Sequence, residues 1–515
     1  MGIVLQRAAF SPNIKDRLDF SCAIFDTKGE LCAQAAHIPV HLGSMAYATK
    51  EIIDRVNWQA GDMMILNDPY LGGTHLPDVT LIAPVFSGSQ PETLVGFVAN
   101  RAHHADIGAS SPGSMPVSST LEEEGMIIPP TLLIKQSVRD ENVFQKLLKS
   151  VVNKKQSEGD FSAQISSVTV GLERLQDLIS SMSLPLYLGA LKSLNDYGER
   201  LAMSALTEIP DGEYSFCDLM DDDGQGNVEI KICVTITVEA HQVHVDFNGT
   251  SRQVQGNINC PLAVAAAAVY YVFRCLMPQQ APACAGTFKP VSLSAPKGSL
   301  LNANRPAAVA AGNVETSTRV VDVVMGALAK AIPDRLAAAS HGSMNNVAMG
   351  ARQGARPEEE KSATSDSKSW EKSWEKSWDY YETIGGGMGA FNGGHGLNAV
   401  QTHMTNTLNT PIESLELHYP LRVTRYEIRD GSGGKGKFNG GNGLIREFEF
   451  LDDAQVTLLT ERRTTNPWGL NGGGDGLAGR NFYDEKQVEG KISLKVKAGK
   501  RLRIETPGGG GFGQY

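Results

Sequence analysis

The sequence predicts an α+β protein, and three observations predict it: period-two alternation of apolar residues in the N-terminal part, helical periodicity in the middle, and a glycine-punctuated return to alternation towards the C-terminus. At 515 residues, 41% hydrophobic and 20% charged, the composition is globular and the chain is long enough for about two or three cores.

Residues 1–140 form the mixed, β-rich N-terminal part. Leu18 to Phe25, Met63 to Leu66, Val79 to Phe86 and Thr93 to Ala99 read as half-buried or fully buried strands separated by Gly, Pro and Asp. Their polar motifs therefore fall at strand ends and in loops. Residues 141–209 form a helical segment, because Phe144, Leu147, Leu148 and Val151, and later Val168, Leu172, Leu175, Leu178 and Ile179, recur at helical spacing. Residues 210–354 are mixed. The turn Pro210-Asp211-Gly212 precedes alternating runs at Val228 to Ile232 and Gln242 to Phe247, and an Ala-rich buried helix follows over about 261–277.

Residues 355–379 are poor in apolar residues and repeat Lys-Ser-Trp-Glu, which puts Trp370, Trp374 and Trp378 on one helix face; this reads as a low-complexity insertion in a surface loop. Residues 380–515 are β-rich, with glycine runs from Gly431 to Gly443 and Gly508 to Gly511 expected in tight turns.

The formal net charge of -10, with no Lys/Arg cluster, argues against nucleic acid. The longest apolar stretch, Pro261 to Phe273, is shorter than the about 20 residues that span a bilayer, so no transmembrane helix is expected. Met1-Gly2-Ile3-Val4-Leu5-Gln6 is neither a signal peptide nor a myristoylation site, which makes a cytoplasmic location the default. Seven widely spread cysteines without a C-x-x-C pair read as buried thiols.

The chemistry concentrates in residues 67–106. Thr74-His75-Leu76-Pro77-Asp78 sets an imidazole and a carboxylate three residues apart, in a turn entered from Asn67-Asp68-Pro69-Tyr70 and relaxed by Gly72-Gly73. His and Asp suit zinc, manganese or iron, and a second His from a neighbouring strand would complete the set and leave an open position. Gly96 to Asp106 is an apolar run ending in Asn100-Arg101-Ala102-His103-His104-Ala105-Asp106. If it stays extended, Arg101 and His103 share one face and His104 and Asp106 the other, so one histidine meets the metal and the other serves as acid, base or support. His37 and His41, in His37-Ile38-Pro39-Val40-His41, form a further cluster for substrate contact or loop packing; Pro39 argues against a chelating helix.

The glycine runs lack the Lys-Ser/Thr of a phosphate-binding loop, Asp246-Phe247-Asn248-Gly249-Thr250 is an isolated turn, and no Gly-x-Ser-x-Gly elbow is present. No ATP site and no Ser or Cys nucleophile is expected.

Long motifs then carry a resemblance: Ser11-Pro12-Asn13-Ile14-Lys15-Asp16-Arg17-Leu18-Asp19-Phe20-Ser21-Cys22, Asn67 to Asp78, Asn100 to Gly108, and Tyr380-Tyr381-Glu382-Thr383-Ile384-Gly385-Gly386-Gly387-Met388-Gly389. His403 to Pro411, Tyr419 to Val423, Glu461-Arg462-Arg463 and Thr506 to Gly513 extend it over nearly the full length. The chain resembles the hydantoinase B family, comprising the B-type component of ATP-dependent hydantoinases and the C-terminal half of fused 5-oxoprolinases. It looks short before Met1 for that family, and the Lys-Ser-Trp-Glu stretch looks inserted.

The resemblance implies a hydantoinase B-like fold and a hetero-oligomer with a hydantoinase A-type subunit. That partner binds ATP and activates a small cyclic amide such as 5-oxoproline or a hydantoin, which this chain then hydrolyses. Related acetone and acetophenone carboxylases imply a divalent metal held by His75, Asp78 and either His103 or His104. The working assignment places His104 at the metal, with Asp68, His103 and Asp106 as base or support and Arg101 stabilising a phosphate or oxyanion. Two other readings are a ketone carboxylase component and a non-catalytic scaffold for the A-type subunit.

Overall fold

Strands β1 (Phe20–Phe25), β2 (Leu31–Gln34), β3 (Met63–Leu66), β4 (Asp78–Phe86), β5 (Leu94–His103), β6 (Thr131–Lys135) and β7 (Val138–Arg139) form one antiparallel sheet in the order β2-β1-β5-β4-β3-β6-β7. This is the N-terminal part of a computed structural model that describes residues 1–35, 38–41, 43–87, 92–351 and 377–514. His37 and the tryptophans Trp370 and Trp374 lie outside the described residues. The third, Trp378, is buried at the start of the strand Trp378–Glu382.

Both faces of this sheet are covered, so the two sets of alternating side chains enter different cores. On β4, Val79, Leu81, Ala83 and Val85 face the helix Lys154–Met182, while Ile82 points the other way. On β5, Val98 joins the helix-side core, and Phe97 and Ala99 pack on the side of the helix Ser44–Ile52 and Trp58. The long helix starts at Asn153, whose side chain accepts from Gln156 N–H at 3.2 Å, and buries Phe161, Gln164, Val168, Leu175 and Ile179 along one stripe. It ends at Ser183, and Leu184–Leu206 turns back with a proline in its first turn. β5 runs to His103, beyond its apolar stretch, because it is paired on both sides, by β1 and β4.

A second sheet contains Gly212–Asp222, Val228–Glu239, Gln242–Asp246 and Val291–Ser294. The helices Leu262–Leu276 and Ser317–Leu328 share its core. Cys217 and Cys233 are opposite one another in its first hairpin and are joined as a disulfide, and Cys275 is exposed; the expectation of seven buried thiols is corrected for these three.

Two further sheets build the C-terminal part, and its glycine runs do something other than turn. Extended segments hydrogen-bond side by side, with Gly387 N–H donating to Pro507 O at 3.0 Å, Gly434 N–H to Gly509 O at 2.8 Å and Gly509 N–H to Gly441 O at 2.9 Å. A Cβ on Gly509 would stand 2.1 Å from Met388 O, and one on Gly441 1.9 Å from Leu397 O. Glycine is required here so that backbones can touch. Among the described residues, no helix is long and apolar enough to cross a membrane.

Candidate metal centre

Asp78 opens β4 and His103 closes β5, and the two are register partners. Their alternation places both on the sheet face that carries Thr80 and Arg101, towards the short turn Pro39–His41 and the helix Ser44–Ile52. His75 sits in the turn just before β4. His75 Nε2 and His103 Nδ1 each stand 3.3 Å from Asp78 Oδ1, and the candidate ligand atoms of the three residues lie within 4.8 Å of one another. All three side chains are buried.

The second oxygen, Asp78 Oδ2, is held from three sides. It accepts from Thr74 Oγ1 at 2.5 Å and Asn313 Nδ2 at 3.3 Å, and His41 Nε2 lies at 3.3 Å. With His41 Nδ1 3.0 Å from the Ser21 hydroxyl, the network assigns the proton facing Asp78 to Nε2. Asn313 arrives on a wide π-helical turn, Gly312–Thr316, that precedes the helix Ser317–Leu328. The carboxylate is thereby fixed with Oδ1 directed at the two imidazoles.

His75 is also fixed from behind, where its Nδ1 donates to Ala310 O at 3.2 Å. Ala310 is placed by Glu124, whose Oε1 accepts from Val309 N–H at 2.8 Å, Ala310 N–H at 2.9 Å and Ser118 Oγ at 2.8 Å. The Tyr381 ring stacks on His103 at a centroid distance of 4.8 Å, and Arg17 holds Tyr381 by lying over its ring and donating to its carbonyl.

Burial alone would raise the Asp78 carboxyl, but His75 and His41 hold it well below the usual range. Burial works against a charged His75, and the adjacent Asp78 outweighs it and holds this imidazole up. Burial pushes His103 down. It also lifts the Glu124 carboxyl to about 7.

The structure does not bring the other sequence candidates to Asp78. His104 is the third ligand in the sequence assignment, yet the next residue along an extended chain points to the opposite face: its Nε2 lies 2.8 Å from Gln164 Oε1 on the long helix, and its ring packs on Phe161. His103 stands in the cluster instead. Arg101 is on the correct face, but its guanidinium donates to Thr80 Oγ1, Ser44 Oγ and Gly72 O and is fully buried, with burial pushing it down to about 10. Asp68 accepts from Tyr70 N–H and pairs with Arg305. Asp106 accepts from Gly108 N–H and Ser114 Oγ in its own loop and from Val152 N–H just before the long helix.

The residues fit a divalent cation. Two imidazoles and one carboxylate converge, and the buried His103 Nε2 has no hydrogen-bond partner among the described residues, which would cost about 1–3 kcal/mol if nothing engaged it. Asp78, His103, His41 and Asn313 line a cavity with about 20 Å³ of free space, roughly one water molecule or ion. Asp19 brings a second carboxylate to the same cavity, and Ile38, Val40, Val314 and Met404 form apolar walls. The sequence motifs single out neither Asn313 nor Asp19 as a site residue. Asn313 meets Asp78 across 235 positions, and no local spacing announces such a contact.

The model of the family described as Hydantoinase B/oxoprolinase matches residues 1–515. The chain is 38% identical to 5-oxoprolinase 1 of Arabidopsis thaliana; the match covers all of this chain but 40% of that one, so this chain spans less than half of that relative. It is 32% identical to the B-type subunit of a D-/L-hydantoinase from a Pseudomonas species, over all of this chain and 87% of the relative. Among solved structures, the ATP-dependent caprolactamase from Pseudomonas jessenii superposes with a TM-score of 0.86 at 27% identity, over 99% of this chain and 88% of that chain.

Proposed function

The chain belongs to the hydantoinase B/oxoprolinase family, and from that premise we propose that it is the hydrolytic component of an ATP-dependent cyclic-amide hydrolase. It opens the ring after a hydantoinase A-type subunit has phosphorylated the carbonyl oxygen. The observation that carries this reading is the buried cluster of His75, Asp78 and His103, in which Asp78 and His103 also line one small cavity. The B-type hydantoinase relative and the longer 5-oxoprolinase, of which this chain spans 40%, support a separate activating partner. So does the lack of a phosphate-binding loop motif in this sequence.

His75, Asp78 and His103 would hold the metal, zinc, manganese or iron. A divalent cation held there supplies Lewis-acid polarisation and lowers the pKa of water towards about 7. Thr74, His41 and Asn313 orient Asp78 through Oδ2. The Asp19 carboxylate takes the proton as water adds to the ring carbonyl carbon. The ring C–N bond then breaks and its nitrogen is protonated, leaving an acyl phosphate. A second water converts that to a carboxylate and inorganic phosphate. Ile38, Val40, Val314 and Met404 keep bulk solvent from the reacting carbon.

The test is reconstitution with an A-type subunit, ATP and a panel of cyclic amides. The expected result is ring-opened product with ADP and phosphate, lost in Asp78→Asn and His103→Ala while the complex still assembles. Incorporation of labelled bicarbonate would make the chain a carboxylase component, and full activity in both variants would make it a scaffold.

A further inference from the structure

Asp322 and His403 form a pair that the metal centre does not use. Asp322 lies on the helix Ser317–Leu328 and is buried, and its Oδ2 accepts from Arg462 Nη2 at 2.7 Å. Its Oδ1 has no hydrogen-bond partner among the described residues, and neither has the enclosed His403 Nε2, 4.0 Å away. An unpaired buried polar group costs about 1–3 kcal/mol, and these two face one another. Such a spacing is that of a catalytic carboxylate and imidazole in a free enzyme, where the contact is long and tightens when substrate binds. His403 also stands at φ 59°, a left-handed conformation uncommon for a residue with a side chain and one that concentrates at functional positions.

His403 lines a chamber of about 440 Å³, within the size range of small-molecule sites, about 300–1,000 Å³. Tyr271, Val272, Leu276, Met325 and Phe391 form its apolar wall, and the Tyr271 ring meets the His403 imidazole edge-on at 5.8 Å. Because Nε2 is enclosed on the Asp322 side, Nδ1 is the nitrogen open to the chamber. The Asp322 contact assigns the proton to Nε2 and leaves a lone pair on Nδ1. Burial holds this imidazole below its ordinary value, so it is neutral near pH 7, the state of a base.

The same segment reaches the metal centre. Met404 and Thr407 line the small cavity beside Asp78, and Thr405 lines both spaces. Arg335 brings a cation to the chamber wall, in an exposed pair with Glu208 that an anionic ligand replaces at little cost.

We propose that His403 is the catalytic base for the second half of the reaction, hydrolysis of the ring-opened acyl phosphate, with Asp322 as its positioning residue. The inference rests on the hydrolase reading above and supplies a base for the second water. The cavity beside Asp78 has about 20 Å³ of free space, room for roughly one water, so the body of the opened chain lies in the chamber with its acyl carbon at Thr405. His403 Nδ1 takes a proton from a chamber water as the water oxygen bonds to the acyl carbon. The bond from that carbon to the phosphate oxygen breaks, and phosphate leaves with the electron pair and collects the proton from Nδ1. Asp322 closes on Nε2–H and stabilises the imidazolium between the two transfers.

The test uses the full chain assembled with its A-type partner, ATP and a cyclic amide. A single turnover is followed by ring opening, by phosphate release and by quenching into hydroxylamine, which converts an acyl phosphate to a hydroxamate read by mass spectrometry. His403→Gln is expected to open the ring at the wild-type rate, to accumulate hydroxamate and to release phosphate about 100–10,000-fold more slowly. Added imidazole restores phosphate release in His403→Ala. Asp322→Asn shows the same split to a smaller degree, with unchanged metal content. Full turnover in His403→Gln overturns the proposal and leaves the hydrolase reading standing. So does ring opening slowed together with phosphate release and without hydroxamate. No ring opening in the wild type overturns the hydrolase reading and the proposal with it.

Discussion

His103 Nδ1 stands 3.3 Å from Asp78 Oδ1, across the register pair that joins the start of β4 to the end of β5. Both residues are placed by sheet pairing rather than by a loop, which gives the centre a rigid base. Asp78→Asn and His103→Ala are therefore expected to purify with little bound metal, measured by elemental analysis of the folded chain. His104→Ala is expected to keep its metal and to lose about 1–3 kcal/mol of stability, because its partner Gln164 is left without that bond in a buried position. Metal loss in His104→Ala alone would move the third ligand back to that residue.

Glu124 acts on the centre through one peptide unit. It orders the Val309 and Ala310 amides, and the Ala310 carbonyl fixes the Nδ1–H form of His75. Glu124→Ala is expected to weaken metal binding about 10–100-fold, as loss of groups behind a ligand does. Glu124→Gln, which keeps an accepting oxygen, recovers most of it. Chelator competition at fixed pH measures both, and equal affinity in the wild type and Glu124→Ala would remove Glu124 from the site.

The contact of Thr74 and His75 with Asp78 is legible in the sequence because the three are neighbours there. The choice between His103 and His104 is not, because β5 is buried on both faces and its apolar pattern does not say which face carries the chemistry. The strand Met63–Leu66 reads with its observed bounds, as its short apolar run is bracketed by polar residues. Cys217 and Cys233 look unrelated because hairpin register, which sets them opposite each other, is not written in cysteine spacing. Asn313, Asp19 and the glycine packing depend on contacts between distant segments, and composition carries no trace of these.

Glu315 gives the stability of the fold a pH dependence. Burial, reinforced by the nearby Glu461 carboxylate, raises its carboxyl to about 8 from 4.5, so the folded state favours the protonated form. Its contribution is fully present below about pH 4.5 and is lost as pH rises through about 8. Denaturant melts between about pH 5 and 8.5 are expected to fall more steeply in the wild type than in Glu315→Gln, by a few kcal/mol over the window. The amide can still accept from Met344 N–H and Asn346 Nδ2 through its oxygen, so the comparison isolates the titration. Parallel profiles in the two proteins would place the pH dependence elsewhere.

Two glycine substitutions separate backbone packing from chain entropy. A Cβ at Gly509 meets Met388 O at 2.1 Å and Gly389 N at 2.7 Å, both backbone atoms that cannot swing away. Gly509→Ala must push apart the bonded segments around it, and a loss of about 4 kcal/mol or more is expected. Gly189, in the helix Leu184–Leu206, has nothing within 4 Å of its would-be Cβ and is exposed. Gly189→Ala should therefore stabilise by about 0.5–1 kcal/mol through lower unfolded-state entropy and better helix propensity. Thermal melts of the two variants should move in opposite directions. If Gly509→Ala melts with the wild type, the touching backbones do not hold the C-terminal part together.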